Sequence, residues 1–108
     1  MKIAITSIGN SAVSTLDPRF GRCSYFAFYD TETCVLDFVP NPNKDANEGA
    51  GPASAQFVAT RGVTKVVSGE FGGKVKTVFD TLGIAMEPTE NVNQTVASII
   101  AEIDASRK

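Results

Sequence analysis

The densest chemistry in this chain is the run Asp17-Pro18-Arg19-Phe20-Gly21-Arg22-Cys23. Two arginines bracket a glycine and stand beside a thiol. Guanidinium groups are planar, permanently charged donors that suit anionic ligands. A glycine between them lets the backbone approach a ligand closely. Cationic neighbours lower a thiol's pKa, and the thiolate is the form that binds soft metals. The same run reads equally well as a surface loop with solvated arginines and a small buried cysteine.

Two further glycine-rich segments have the composition of anion sites. Asn47-Glu48-Gly49-Ala50-Gly51 leads toward a helix, and exposed N–H groups at a helix N-terminus attract anions. A plain capping loop accounts for it too. Ser68-Gly69-Glu70-Phe71-Gly72-Gly73-Lys74 is a strand–glycine–helix junction of the same kind. It is not a Walker loop, because Lys74 is followed by Val75 rather than Ser or Thr, and it lacks the full GxGxxG pattern. General anion binding is what remains for it.

Other chemistries are excluded by composition. The chain has no histidine, which removes the commonest general base, the serine triad and the commonest nitrogen ligand for a metal. Cys23 and Cys34 match no Cys-x-x-Cys spacing, and two thiols alone do not build a zinc site. Cys34 falls within a strand pattern and reads as packing. Asp17, Asp30 and Glu48 form no carboxylate pair that spacing alone can define.

Certain elements must position these residues. Lys2–Ser7 is rich in Ile and Thr and reads as a strand, followed by a long ordered loop to residue 24. Ser24–Tyr29 is the strongest strand pattern, since aromatic side chains suit a pleated, half-buried surface. Four polar residues, 30–33, separate it from a strand at Cys34–Val39, which predicts an antiparallel hairpin. Pro40 and Pro42 end that strand. Pro52 suits a first helical turn, with Ala53, Phe57 and Val58 as its apolar stripe and Arg61-Gly62 as its stop. Lys65–Ser68 is a short strand. Val75, Val78, Phe79 and Leu82 then recur at i, i+3, i+4 and i+7 of a helix capped by Gly83. Ile84–Met86 is a strand, and a last helix from about Asn93 carries Val96, Ile99, Ile100 and Ile103 on one face. Arg107 and Lys108 would complement its negative end. The βαβ portion predicts right-handed crossovers between parallel strands, with the Val66 and Ile84 strands parallel to Lys2–Ser7. The whole is an α/β domain: a mixed β-sheet with flanking helices.

The 108 residues suit a single domain spanning 1–108, and 43% hydrophobic with 20% charged residues is an ordinary globular composition. A net charge of −2 argues against nucleic acid as the main partner. No run approaches the ~20 apolar residues of a membrane span, and the N-terminus is too short in apolar residues for a signal-peptide core. The expectation is a cytoplasmic protein with both cysteines reduced.

Several of these segments together resemble the dinitrogenase iron–molybdenum cofactor biosynthesis family. They are the opening Met1–Ile5, the Asp17–Cys23 run, the Phe26–Asp30 strand, Asn41-Pro42, Gly49-Ala50-Gly51 and Gly62-Val63 through Val67 to Gly69. The resemblance spans nearly the whole chain. It implies a ribonuclease H-like fold and a small non-catalytic protein that binds or carries an iron–sulfur or iron–molybdenum type cluster, or its precursor. Many members carry histidine before the first helix, where this chain has Asn47-Glu48.

Carried onto this sequence, the resemblance implies a transiently bound cluster at Arg19, Gly21, Arg22, Glu48, Gly49 and Gly51. Cys23 is the expected soft metal ligand, accessible and close to Arg19 or Arg22. The implied partners are cluster donor and acceptor proteins, with the chain a monomer or weak dimer. Two other classes stand beside this reading. One is a ligand-free regulatory or protein-interaction domain. The other is a ribonuclease H-like phosphoryl-transfer enzyme, which needs several converging carboxylates, whereas Lys2–Ser7 has no acidic residue.

Overall fold

A computed structural model describes residues 1–106. The terminal Arg107 and Lys108, expected at the last helix end, lie outside the described residues. Eight elements follow in order: β1 (Lys2–Ser7), β2 (Tyr25–Asp30), β3 (Leu36–Pro40), α1 (Ala50–Ala59), β4 (Lys65–Ser68), α2 (Gly73–Leu82), β5 (Ala85–Pro88) and α3 (Val96–Ser106). They form one sheet in the order β3-β2-β1-β4-β5. β2 runs antiparallel to β1 and β3, whereas β1, β4 and β5 are parallel. The expected hairpin and parallel crossovers are both present.

Alternation along the strands divides the core between two faces of the sheet. Ala4, Phe26, Phe28 and Val66 pack with Ala55 and Val58 of α1 and Val75 and Phe79 of α2. Ile3, Ile5, Ala27 and Val67 pack with Val96, Ile99 and Ile103 of α3. Three layers result, with two helices on one face and one on the other.

Some boundaries and stripes differ from expectation. β3 begins at Leu36 rather than Cys34, because residues 31–34 make the turn: the Cys34 N–H donates to the Asp30 carbonyl (2.8 Å) and Cys34 itself has φ 61°. Cys34 is therefore exposed, and the packing role expected for it is corrected. α1 starts before Pro52, at Ala50, and buries Ser54, Ala55 and Val58, leaving Ala53 exposed. In α2, Val75 and Phe79 are buried but Leu82, the last residue of the helix, is exposed.

Candidate functional site

The loop between β1 and β2 is held from three sides. Phe20, 1% exposed, plugs it into the aromatic core, with ring centroids 5.7 Å from Phe26 and 5.3 Å from Phe79. Burying one such ring contributes about 1.5–3 kcal/mol. On the β4–α2 side, the Glu70 N–H donates to the Pro18 carbonyl (2.8 Å) and the Phe20 N–H to the Glu70 carbonyl (3.3 Å). Gly69 permits this approach, for a Cβ there would stand 2.8 Å from the Pro18 oxygen.

On the α1 side, a Cβ on Gly21 would lie 2.8 Å from both N and Cα of Gly51. The Gly21 carbonyl accepts from Asn41 Nδ2 (3.1 Å) and Ser54 Oγ (3.0 Å). The flanking arginines stay outside, because the residues between them are pinned inward: Arg19 and Arg22 are both exposed. Arg22 Nη1 donates to the Lys44 carbonyl at 3.2 Å.

The consequence is a cleft of about 560 Å³ lined by the Arg loop and by the first turns of α1 and α2. Its cations are Arg19, Arg22 and Lys74, and Glu70 adds one carboxylate. Neither helix has a side-chain cap: the N-cap residues are Gly49, at φ 70°, and Gly72, in extended conformation. Their free N–H groups and the positive ends of both helix dipoles therefore face an electrostatic demand that no side chain of the cap meets. An anion fits that arrangement.

The three segments singled out in the sequence thus converge on one place. Of the expected site residues, Arg19, Gly21, Arg22, Gly49 and Gly51 line the cleft. Glu48 is exposed just before the N-cap glycine and is not part of the lining. Lys74 joins the site although its junction carried only a general anion signal. Asn41 and Ser54 support it from beneath through the Gly21 carbonyl; Asn41-Pro42 enters the sequence reading only through the family resemblance, and no sequence signal marks Ser54.

The accessible, acidified thiol expected at Cys23 is corrected. Cys23 is 0% exposed and packs in the core beneath the loop, with Asn41 Nδ2 3.7 Å from its sulfur. Burial first, and the Asp17 charge second, push its pKa well above the ordinary thiol range, outweighing Arg19. It is a neutral thiol at physiological pH. Among the described residues, no three of Cys, Asp and Glu gather where they could hold a metal ion. The donor set therefore fits an anion bound by charge and N–H groups, and does not fit a metal centre ligated by the chain.

Fold and cleft together define a small three-layer α/β protein with a cationic cleft at the starts of two helices. The sequence matches the model of the dinitrogenase iron–molybdenum cofactor family over residues 1–106, and the chain belongs to that family. Membership associates it with a metallocluster. Among solved structures it is similar to the apo form of the orange protein from Desulfovibrio gigas. That match has TM-score 0.90 and 27% identity, covering 98% of this chain and 88% of that one. A putative NifB protein from Thermotoga superposes with TM-score 0.81 at 29% identity, covering 98% and 89%. An uncharacterized protein of Methanocaldococcus jannaschii is 32% identical over 87 residues, 78% of this chain and 70% of that one.

Proposed function

We propose that this chain is a non-catalytic carrier for an anionic iron–sulfur or iron–molybdenum type cluster, or its precursor, held transiently in the cleft between α1 and α2. The observation that carries this reading is the convergence of three cationic side chains and two uncapped helix N-termini on one cleft. Family membership supplies the identity of the anion. Description of a similar solved structure as an apo form supports a ligand-bound counterpart. The cluster would keep its own sulfur ligands and meet the protein through them, since Cys23 offers no thiolate. Gly21, Gly49 and Gly51 permit close approach, and Arg19, Arg22 and Lys74 neutralise charge.

Such binding is exchangeable, which suits handover from a donor protein to an acceptor in a reducing cytoplasm. No bond of the cargo need be made or broken, so the role is not that of an enzyme. The mixed sheet with helices on both faces supports the ribonuclease H-like description of the family.

Anaerobic titration with tetrathiomolybdate and with a preformed iron–sulfur anion tests the reading. Wild type should give a coloured complex weakened by salt. Arg19→Gln and Arg22→Gln should each weaken it roughly tenfold to a hundredfold, the range for a lost charge-assisted hydrogen bond. Cys23→Ala should still bind. Loss of binding in Cys23→Ala, with both arginine variants intact, would restore the thiolate mechanism. Absence of binding by wild type would favour the interaction-domain reading.

A further inference from the structure

We propose that Asp17 is a positioning residue of the cleft, acting through Arg19 to present a guanidinium fork to the anion. This rests on the carrier reading above. The Asp17 side chain is 2% exposed, whereas that of Arg19 is 57% exposed. A carboxylate so buried needs several donors, and Asp17 has them. Its Oδ1 accepts from the Arg19 backbone N–H (3.0 Å) and faces Arg19 Nε at 3.4 Å. Its Oδ2 accepts from the Ser24 N–H at 3.3 Å.

The Asp17 backbone is itself moored to β1. Its N–H donates to the Thr6 carbonyl (2.9 Å), and Thr6 Oγ1 donates to the Asp17 carbonyl (2.6 Å). The carboxylate is therefore a fixed point at the end of the central strand.

The choice of nitrogen matters. Asp17 engages Nε and leaves the two terminal nitrogens of Arg19 without a partner among the described residues. A bidentate carboxylate on those nitrogens would consume the fork that an anion needs. Anchoring at Nε instead restricts the side chain before the ligand arrives, so less rotamer freedom is lost on binding.

Two effects of Asp17 on a bound anion oppose each other. Its charge repels the anion, and its grip on Arg19 preorganises the site. The positioning role requires the second to win, which makes the sign of the mutational effect diagnostic.

The test is tetrathiomolybdate titration of wild type, Asp17→Asn, Arg19→Gln, their double variant and Arg19→Lys. Asp17→Asn should weaken binding about threefold to tenfold, the worth of ordering one long side chain, although it removes a negative charge. In the Arg19→Gln background the same change should no longer weaken binding and should leave it unchanged or tighter, because only the lost repulsion remains when there is no fork to position. Arg19→Lys keeps the charge without the fork and should weaken binding nearly as much as Arg19→Gln.

Tighter or unchanged binding by Asp17→Asn would overturn the proposal, as would an equal penalty in both backgrounds or wild-type affinity in Arg19→Lys. A ligand-free arm separates this proposal from the carrier reading. The Arg19 Nε–H should exchange slowly with solvent by NMR in wild type and rapidly in Asp17→Asn. Rapid exchange in wild type refutes positioning whatever binds. Slow exchange together with no anion binding refutes the carrier reading instead, and leaves the grip on Arg19 standing. Should Asp17→Asn fail to fold, Arg19→Lys and the wild-type exchange rate still decide.

Discussion

Gly72→Asp should make the protein more stable and its cleft worse at binding. Gly72 is the N-cap of α2, has the extended conformation that any residue adopts there, and would meet nothing within 4 Å on gaining a Cβ. An aspartate at that position accepts from free N–H groups of the first turn. Relative to glycine the cap contributes a few tenths of a kcal/mol, and its charge at the positive helix end adds about 0.3–1 kcal/mol. Together these give about 1 kcal/mol, or a rise in Tm of about 4–8 °C for a domain of this size.

The same carboxylate would occupy the cleft mouth. At about 5 Å and an effective dielectric of about 20 it repels a unit negative charge by about 3 kcal/mol, a loss in affinity on the order of a hundredfold. Thermal melting and anaerobic titration of one preparation read both quantities. Gly72→Asn keeps the cap without the charge, so it should retain part of the stability gain and lose far less affinity. A stability gain with unchanged anion affinity would refute the placement of the anion at the α2 N-terminus. A fall in stability would refute the open cap itself.

Gly21→Ala presses a methyl group into the Gly51 backbone, which cannot rotate aside, and should lower stability by about 1–3 kcal/mol in chemical denaturation. A neutral result would show that the Arg loop is not wedged against α1. A colorimetric thiol reagent should find only Cys34 in the native protein and both cysteines after unfolding, given the burial of Cys23. Because the folded-state pKa of Cys23 lies above its unfolded value, its contribution to stability is complete below about pH 8.5 and declines as pH rises further, by up to about 1.4 kcal/mol per pH unit. Denaturation between about pH 8 and about pH 9.5 should show this slope in wild type and not in Cys23→Ala.

The sheet was legible because its signals are local. The alternation of Phe26, Ala27 and Phe28 across two faces, and the helical recurrence of Val96, Ile99 and Ile103, appear within single elements and survive in the structure. What sequence could not supply was long-range. Whether residues 17–23, 47–51 and 68–74 were three capping loops or one cleft depended on β4 pairing beside β1, which brings the start of α2 to the Arg loop.

The fate of Cys23 was hidden for the same reason. Adjacent arginines suggest an acidified thiol only while the thiol stays near solvent. Phe20 and Gly21 pull the chain inward, and desolvation then dominates. Cys34 falls outside the strand through backbone geometry, and a left-handed cysteine in a turn leaves no mark on composition.

That turn gives the molecule a practical polarity. In the β1–β2 register Lys2 lies opposite Asp30 and Ser7 opposite Tyr25, so the Cys34 turn and the Arg loop sit at opposite ends of the sheet. Next to the turn, the Tyr29 hydroxyl donates to the Asp104 carboxylate at 2.8 Å, and the neighbouring Cys34 thiol together with that carboxylate pushes its ionisation upward. A probe or surface linker coupled to Cys34 would therefore present the cleft outward and unobstructed. Two chains oxidised through this thiol would carry their clefts at the far ends of the pair, a bivalent reagent for capturing whatever donates or accepts the cargo.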